Sequence, residues 1–133
     1  MTMKKFYVGV KAIIQDPERG ILLLIDPRIV DVPGGRIDDD ESFEQTLRRE
    51  ISEELPGTQI LSVGELLGAY RVPINVKDDI GLTLLFYRVD ATIPEPIVLS
   101  DEHTGYIWVK SVDDIPETGI NDEIRRIVVS LLN

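Results

Sequence analysis

The sequence predicts an α/β (α+β) layered domain: one central mixed sheet with helices on its faces. Three observations predict it. Eight prolines fall between apolar stretches and cut the chain into short elements. Several of those stretches are rich in Val, Ile, Leu, Phe and Tyr and read as strands, while two others repeat their apolar residues at helical spacing. Strands mixed with two helices bury their apolar faces most simply in layers. At 133 residues the expectation is a single domain, residues 1–133, around one core.

Phe6 to Gln15 is the first predicted strand. Lys4 and Lys5 precede it, but Lys11 interrupts the apolar run and no small-residue cleavage site follows, so a strand fits better than a signal peptide. Gly20 to Asp26 is the second strand, and Pro33, Gly34 and Gly35 then read as a tight turn. Phe43, Leu47, Ile51 and Leu55 recur every four residues and predict a helix that ends at Leu55, Pro56 and Gly57. Ser42 followed by Gln45 has the form of a capping box at its start. Gln59 to Arg71, Leu82 to Thr92 and Tyr106 to Lys110 complete the strands, with Gly68 marking a bulge or bend and Trp108 assigned to the core. Asn121 caps a last helix whose Ile124, Ile127, Val128 and Leu131 form an apolar stripe.

Composition excludes several classes of function. There is no Cys, hence no disulfide, thiolate zinc site or Cys nucleophile. The apolar stretches are too short to span a bilayer, so no membrane partner is expected, and a cytoplasmic location is the working expectation. The net charge of −10 opposes adhesion to nucleic acid and makes metal ions the natural intermediaries for an anionic substrate. From Arg36 to Glu54 there are eight acids and three Arg, a local balance of −5.

That acidic segment carries the chemistry. At about 100° per residue, with Glu50 at zero, Glu54 falls near 40° and Glu53 near 300°. The three carboxylates share one helix face and border the apolar stripe, while Arg49, Gln45 and Ser52 take the other side. Like charges at this spacing repel and a core edge desolvates them, so something positive is required. Arg49 precedes Glu53 by four residues, a spacing at which the two can pair, but one guanidinium does not neutralise three carboxylates. Oxygen ligands without Cys favour a hard cation, Mg²⁺ first and Mn²⁺ as the alternative. Gly34 and Gly35 let the backbone approach such a ligand closely.

Gly35, five residues, Glu41, seven residues, then Arg49, Glu50, Ile51, any residue, Glu53 and Glu54 resembles the Nudix box of the Nudix hydrolases. Pro33 and Gly34 resemble its usual lead-in. Asp101, Glu102 and His103, followed by Tyr106 and Trp108, resemble the family's late acidic loop and strand. One departure stands out: Pro56 occupies the place of the box's closing Gly, which is displaced to Gly57. The resemblance is closest to compact, MutT-like members.

The resemblance implies an α/β/α sandwich and hydrolysis of a diphosphate linkage in a nucleoside diphosphate derivative, by water attack on phosphorus. Position by position, Glu50 and Glu54 resemble the main metal ligands, Gly35 lends its carbonyl, and Glu53 binds metal or takes the proton from water. Arg49 and Glu41 resemble the pair that orients the helix. Glu53 is the first candidate for general base and Glu102 the second, while His103 reads as a solvated loop histidine. Arg28, Arg36, Tyr70 and Arg71 are candidates for stacking on a base or pairing with phosphate. The short chain resembles nucleoside-triphosphate hydrolases, whereas Pro73, sixteen residues after Gly57, resembles a mark of the ADP-ribose branch. A nucleotide sensor that kept the fold without the chemistry is the alternative class. Dimerisation is common in the family, so a homodimer stays open. No P-loop, HExxH, GxSxG or EF-hand loop competes with this reading.

Overall fold

Ten residues of parallel pairing along one edge of the first strand organise the sheet. In the computed structural model, which describes residues 2–132, β1 (Phe6–Asp16) runs beside β6 (Gly81–Thr92), from Phe6 opposite Gly81 to Gln15 opposite Asp90. The other edge of β1 is divided. Gln15 and Asp16 pair with β2 (Gly20–Ile25), whereas Gly9 to Lys11 pair with β4 (Gly34–Arg36), both antiparallel. Because two strands leave the same edge at different points, β2 and β4 diverge.

β2 in turn pairs with β3 (Val30–Asp31) and β7 (Gly105–Val109). β5 (Gln59–Arg71) closes the far side against β6, giving a seven-stranded mixed sheet of order β3-β2-β1-β6-β5, with β4 on β1 and β7 on β2. A bulge-type register shift lies between Leu66 and Gly68, where the sequence places one.

Side-chain alternation along the strands feeds two cores. Val10, Ala12 and Ile14 of β1 and Leu22 and Leu24 of β2 face one side, where α1 (Phe43–Glu54) packs with Leu47, Ile51 and the C-cap Leu55. Ile13, Ile21, Leu23 and Phe86 face the other, covered by Ile124, Ile127 and Val128 of α2 (Asp122–Leu132). The result is the layered domain, a mixed sheet with helices on both faces, that the residue patterns predict, and the α/β/α sandwich that the family resemblance implies. Each fully buried Leu or Ile of these stripes contributes about 1.5–3 kcal/mol relative to exposure.

The helix starts follow from their caps. Ser42 accepts from the Gln45 amide at 3.1 Å while the Gln45 side chain accepts from the Ser42 amide at 2.8 Å. Asn121 Oδ1 accepts from the Ile124 amide at 2.8 Å. Gly57, at φ +87°, takes the left-handed conformation after α1, and the Thr58 amide donates to the Leu55 carbonyl. The extra residue at Pro56 is absorbed in this turn.

Three expectations change. Gly34 and Gly35 are not a tight turn but the start of β4, held by the register with Val10 and Lys11. Phe43 is not in the stripe's buried part: it is 42% exposed, at the helix's first turn, with its ring 6.1 Å from Tyr87. Trp108 is half-buried against the α1-side core, with the Arg19 guanidinium 4.5 Å from its ring centroid. The short β3 and β4 escape the sequence because two or three residues carry no period.

Candidate active site

The site forms where β4 passes under α1. Gly34 is in the left-handed half of φ, at +146°, and a side chain there would strike the Val10 carbonyl and sit 2.7 Å from Lys11 Cα. Glycine therefore lets β4 lie flat on β1. At Gly35 the obstacle is different: a Cβ would collide with the Glu50 carboxyl group. The bare backbone of Gly35 is thus the floor on which Glu50 rests.

Glu54, one turn further along α1, is 5% exposed and accepts the Gly34 N–H at 2.8 Å. Burial pushes its carboxyl up to about 7, and the carboxylates of Glu50 and Glu102 push the same way, against the Gly34 hydrogen bond and the charge of Lys11. Lys11 is itself 8% exposed and paired with Asp31 at 3.2 Å. Sequence reading missed this cation's part; its signal was a charge at an inward-facing position of β1.

Arg49 braces the acids. Its guanidinium forks onto Glu41 at 2.8 and 2.9 Å, reaches Glu50 at 2.9 Å and the Arg36 carbonyl at 3.3 Å, and lies 3.6 Å from Glu53. The helical wheel puts Arg49 on the other side from the acids, but its long side chain bends back across the helix. Glu41 also accepts from the Asp38 amide and from the buried Thr46 hydroxyl. The Arg49 hydrogen bonds hold the Glu41 carboxyl down to about 2, and Glu41 in turn raises the Arg49 guanidinium. Glu53 is exposed at the rim, its side chain 59% accessible.

The late loop closes the other side. The Ser100 amide donates to the Glu54 carbonyl at 3.3 Å, the His103 amide to the Ser100 carbonyl at 3.3 Å, and the Thr104 amide to Ile25 at 2.8 Å. These tethers bring Glu102 and His103 to Glu54: one donor atom from each of the three lies within 4.8 Å of the others. His103 is half-buried there, not the solvated loop residue that sequence suggests. Its signal was its place directly after Glu102.

A cleft of about 400 Å³, lined by Tyr7, Arg36, Ile37, Asp38, Arg49 and Glu50, opens beside the acids. Arg36 stands over the Tyr7 ring at 4.4 Å. The other substrate candidates lie elsewhere: Arg28 is exposed in the turn after β2, Tyr70 packs on the α2-side core, and Arg71 lies over Phe6 at 5.0 Å. A larger cavity of about 570 Å³, at the opposite end of β1 around Gln15, Arg88 and Lys110, includes no box residue.

The residues fit a hard or borderline cation on three counts. Glu54 is a desolvated acid among other acids, the Gly35 cradle has no room for a side chain, and His103 Nδ1 is buried with no hydrogen-bond partner among the described residues.

Residues 5–131 match the family model described as NUDIX domain. The structure superposes on a MutT protein from Methanosarcina mazei Go1 with a TM-score of 0.74 at 23% identity, covering 96% of this chain and 94% of that one. A MutT NUDIX hydrolase from Burkholderia pseudomallei gives 0.73 at 25% identity over 98% of this chain and 100% of that one. A UDP-X diphosphatase gives 0.70 at 18% identity over 99% of this chain and 63% of its own. No curated protein matches the sequence. With the box from Gly35 to Glu54 assembled at one site, and the family model spanning nearly the whole length, the chain belongs to the Nudix hydrolases, a family of pyrophosphohydrolases.

Proposed function

We propose that this single domain is a cytoplasmic, metal-dependent hydrolase that cleaves a diphosphate linkage in a nucleoside diphosphate derivative, either a nucleoside triphosphate or an ADP-ribose-like nucleotide sugar. The observation that carries the reading is the seating of Glu50 on bare Gly35 beside the buried Glu54. Gly35 through its carbonyl, Glu50, Glu53 and Glu54 are the residues that would hold Mg²⁺, with Mn²⁺ as the alternative. When bound, the cation supplies positive charge against the diphosphate and acidifies water.

The chain's own groups do the rest. Arg49, fixed by Glu41 and the Arg36 carbonyl, holds Glu50 in place and keeps the acids from splaying. Glu53, exposed at the rim, takes a proton from water as the water oxygen bonds to phosphorus and the bridging P–O bond breaks, its electron pair leaving with the departing phosphate. Arg36, above Tyr7 at the cleft mouth, pairs with a substrate phosphate. The chain's charge of −10 makes a small nucleotide, not a nucleic acid, the partner this surface admits.

The test is substitution of the two best-placed acids. Glu54→Gln and Glu50→Gln should each lower Mg²⁺-dependent turnover on an accepted substrate by about 10²-fold or more, the scale of losing a charged group from the site. Wild-type turnover in Glu54→Gln would contradict the metal assignment.

A further inference from the structure

The imidazole of His103 has no place in the Nudix box, yet the fold delivers it to Glu54. We infer that His103 is a metal ligand, and that with Glu54 and Glu102 it forms a mixed nitrogen and oxygen site that selects a first-row transition ion over Mg²⁺. This inference rests on the proposed metal-dependent reading and makes its metal specific.

Three observations carry it. The first is proximity: a ring nitrogen of His103 and a carboxylate oxygen from each of Glu54 and Glu102 lie within 4.8 Å of one another, a spread that one cation closes. The second is an unpaired ring nitrogen, since Nδ1 is buried without a hydrogen bond among the described residues. A buried polar atom left unpaired is costly, and an ion is the kind of partner that such a ring is suited to accept. The third is the loop's construction. Its backbone is tied to the α1 carbonyl of Glu54 at one end and to the β2 carbonyl of Ile25 at the other, so the histidine is held at the site by main chain.

Donor chemistry then sets the ion. Carboxylates alone suit Mg²⁺, whereas a neutral imidazole adds little for that ion and much for Mn²⁺, Co²⁺ or Zn²⁺. His103 is also the sole histidine of the chain, so any histidine signal at the metal is its own.

The experiment is pulsed electron paramagnetic resonance on tag-free protein loaded with Mn²⁺, with natural-abundance and ¹⁵N-histidine-labelled samples compared. The expected result is a nitrogen modulation that changes from the ¹⁴N to the ¹⁵N pattern on labelling. Alongside it, Mn²⁺ and Mg²⁺ titrations of His103→Ala should show Mn²⁺ affinity falling about tenfold or more and Mg²⁺ affinity nearly unchanged. Bound Mn²⁺ with no histidine nitrogen modulation overturns the inference, and so does an equal loss of both affinities. The labelling arm uses the unaltered chain, so misfolding of the variant does not affect it. Mg²⁺-dependent hydrolysis without nitrogen modulation would sink this inference and leave the hydrolase standing. Nitrogen modulation with no hydrolysis of any diphosphate would do the reverse.

Discussion

The Glu54 carboxylate accepts the Gly34 amide at 2.8 Å from a position that is 5% exposed. That bond joins α1 to the glycine strand β4, and it does so with a carboxyl group whose pKa burial raises. Without a cation, Glu54 titrates at about 7, against 4.5 for the unperturbed side chain.

The sign of the pH dependence follows. Folding favours the protonated acid, so the stability that Glu54 contributes is present below pH 4.5 and is lost as pH rises through 7. In metal-free protein at pH 8, Glu54→Gln should be more stable than wild type by on the order of 1–3 kcal/mol, read by urea denaturation. At pH 4 the two should coincide. Metal binding near pH 6 should release protons, seen by calorimetry in buffers of different ionisation enthalpy; binding without release would contradict the assignment of Glu54.

The two glycines should fail differently. At Gly35 an added methyl meets a flexible carboxyl group, so Gly35→Ala should keep its fold and lose metal affinity and turnover by about 10²-fold. At Gly34 it meets the backbone of β1 and a strained φ, so Gly34→Ala should lower the melting temperature. Circular dichroism melts beside metal titrations separate the two outcomes.

Arg49→Lys keeps a charge but not the fork onto Glu41 and Glu50. Turnover should fall by about 10- to 100-fold with folding intact. Glu41, held down to about 2 by Arg49, should titrate nearer 4.5 in the variant, visible in carboxyl-carbon NMR. In wild type Glu41 contributes stability that is present above pH 4.5 and lost as pH falls through about 2.

The two base candidates should separate kinetically. Glu53→Gln should lower kcat by about 10²- to 10⁴-fold, with a smaller loss of metal affinity than Glu50→Gln or Glu54→Gln. Glu102→Gln should instead raise the metal concentration needed for half-maximal rate. The opposite pattern would exchange their roles.

Legibility in the sequence tracks repetition. β1, β2, β5, β6 and β7 announce themselves as runs rich in Val, Ile, Leu, Phe and Tyr between prolines, both helices by apolar residues repeated at helical spacing, and Ser42, Gln45 and Asn121 mark where helices begin. β3 and β4 are too short to repeat anything, and Gly34 and Gly35 look like a turn until the register with Val10 and Lys11 is known. In the site, the spacing of Glu50, Glu53 and Glu54 is local and visible. The Lys11 to Asp31 pair and the approach of His103 to Glu54 are long-range, set by strand pairing and by a loop tied at both ends, and no spacing encodes them.

The most direct measurement of the central claim is mass-spectrometric product identification after incubation with a panel of nucleoside triphosphates and nucleotide sugars in Mg²⁺ or Mn²⁺, repeated in excess EDTA. The account predicts a product that EDTA abolishes: a nucleoside monophosphate with pyrophosphate from a triphosphate, or AMP with ribose 5-phosphate from ADP-ribose. A panel left intact with either metal, or products formed equally well in EDTA, would contradict it.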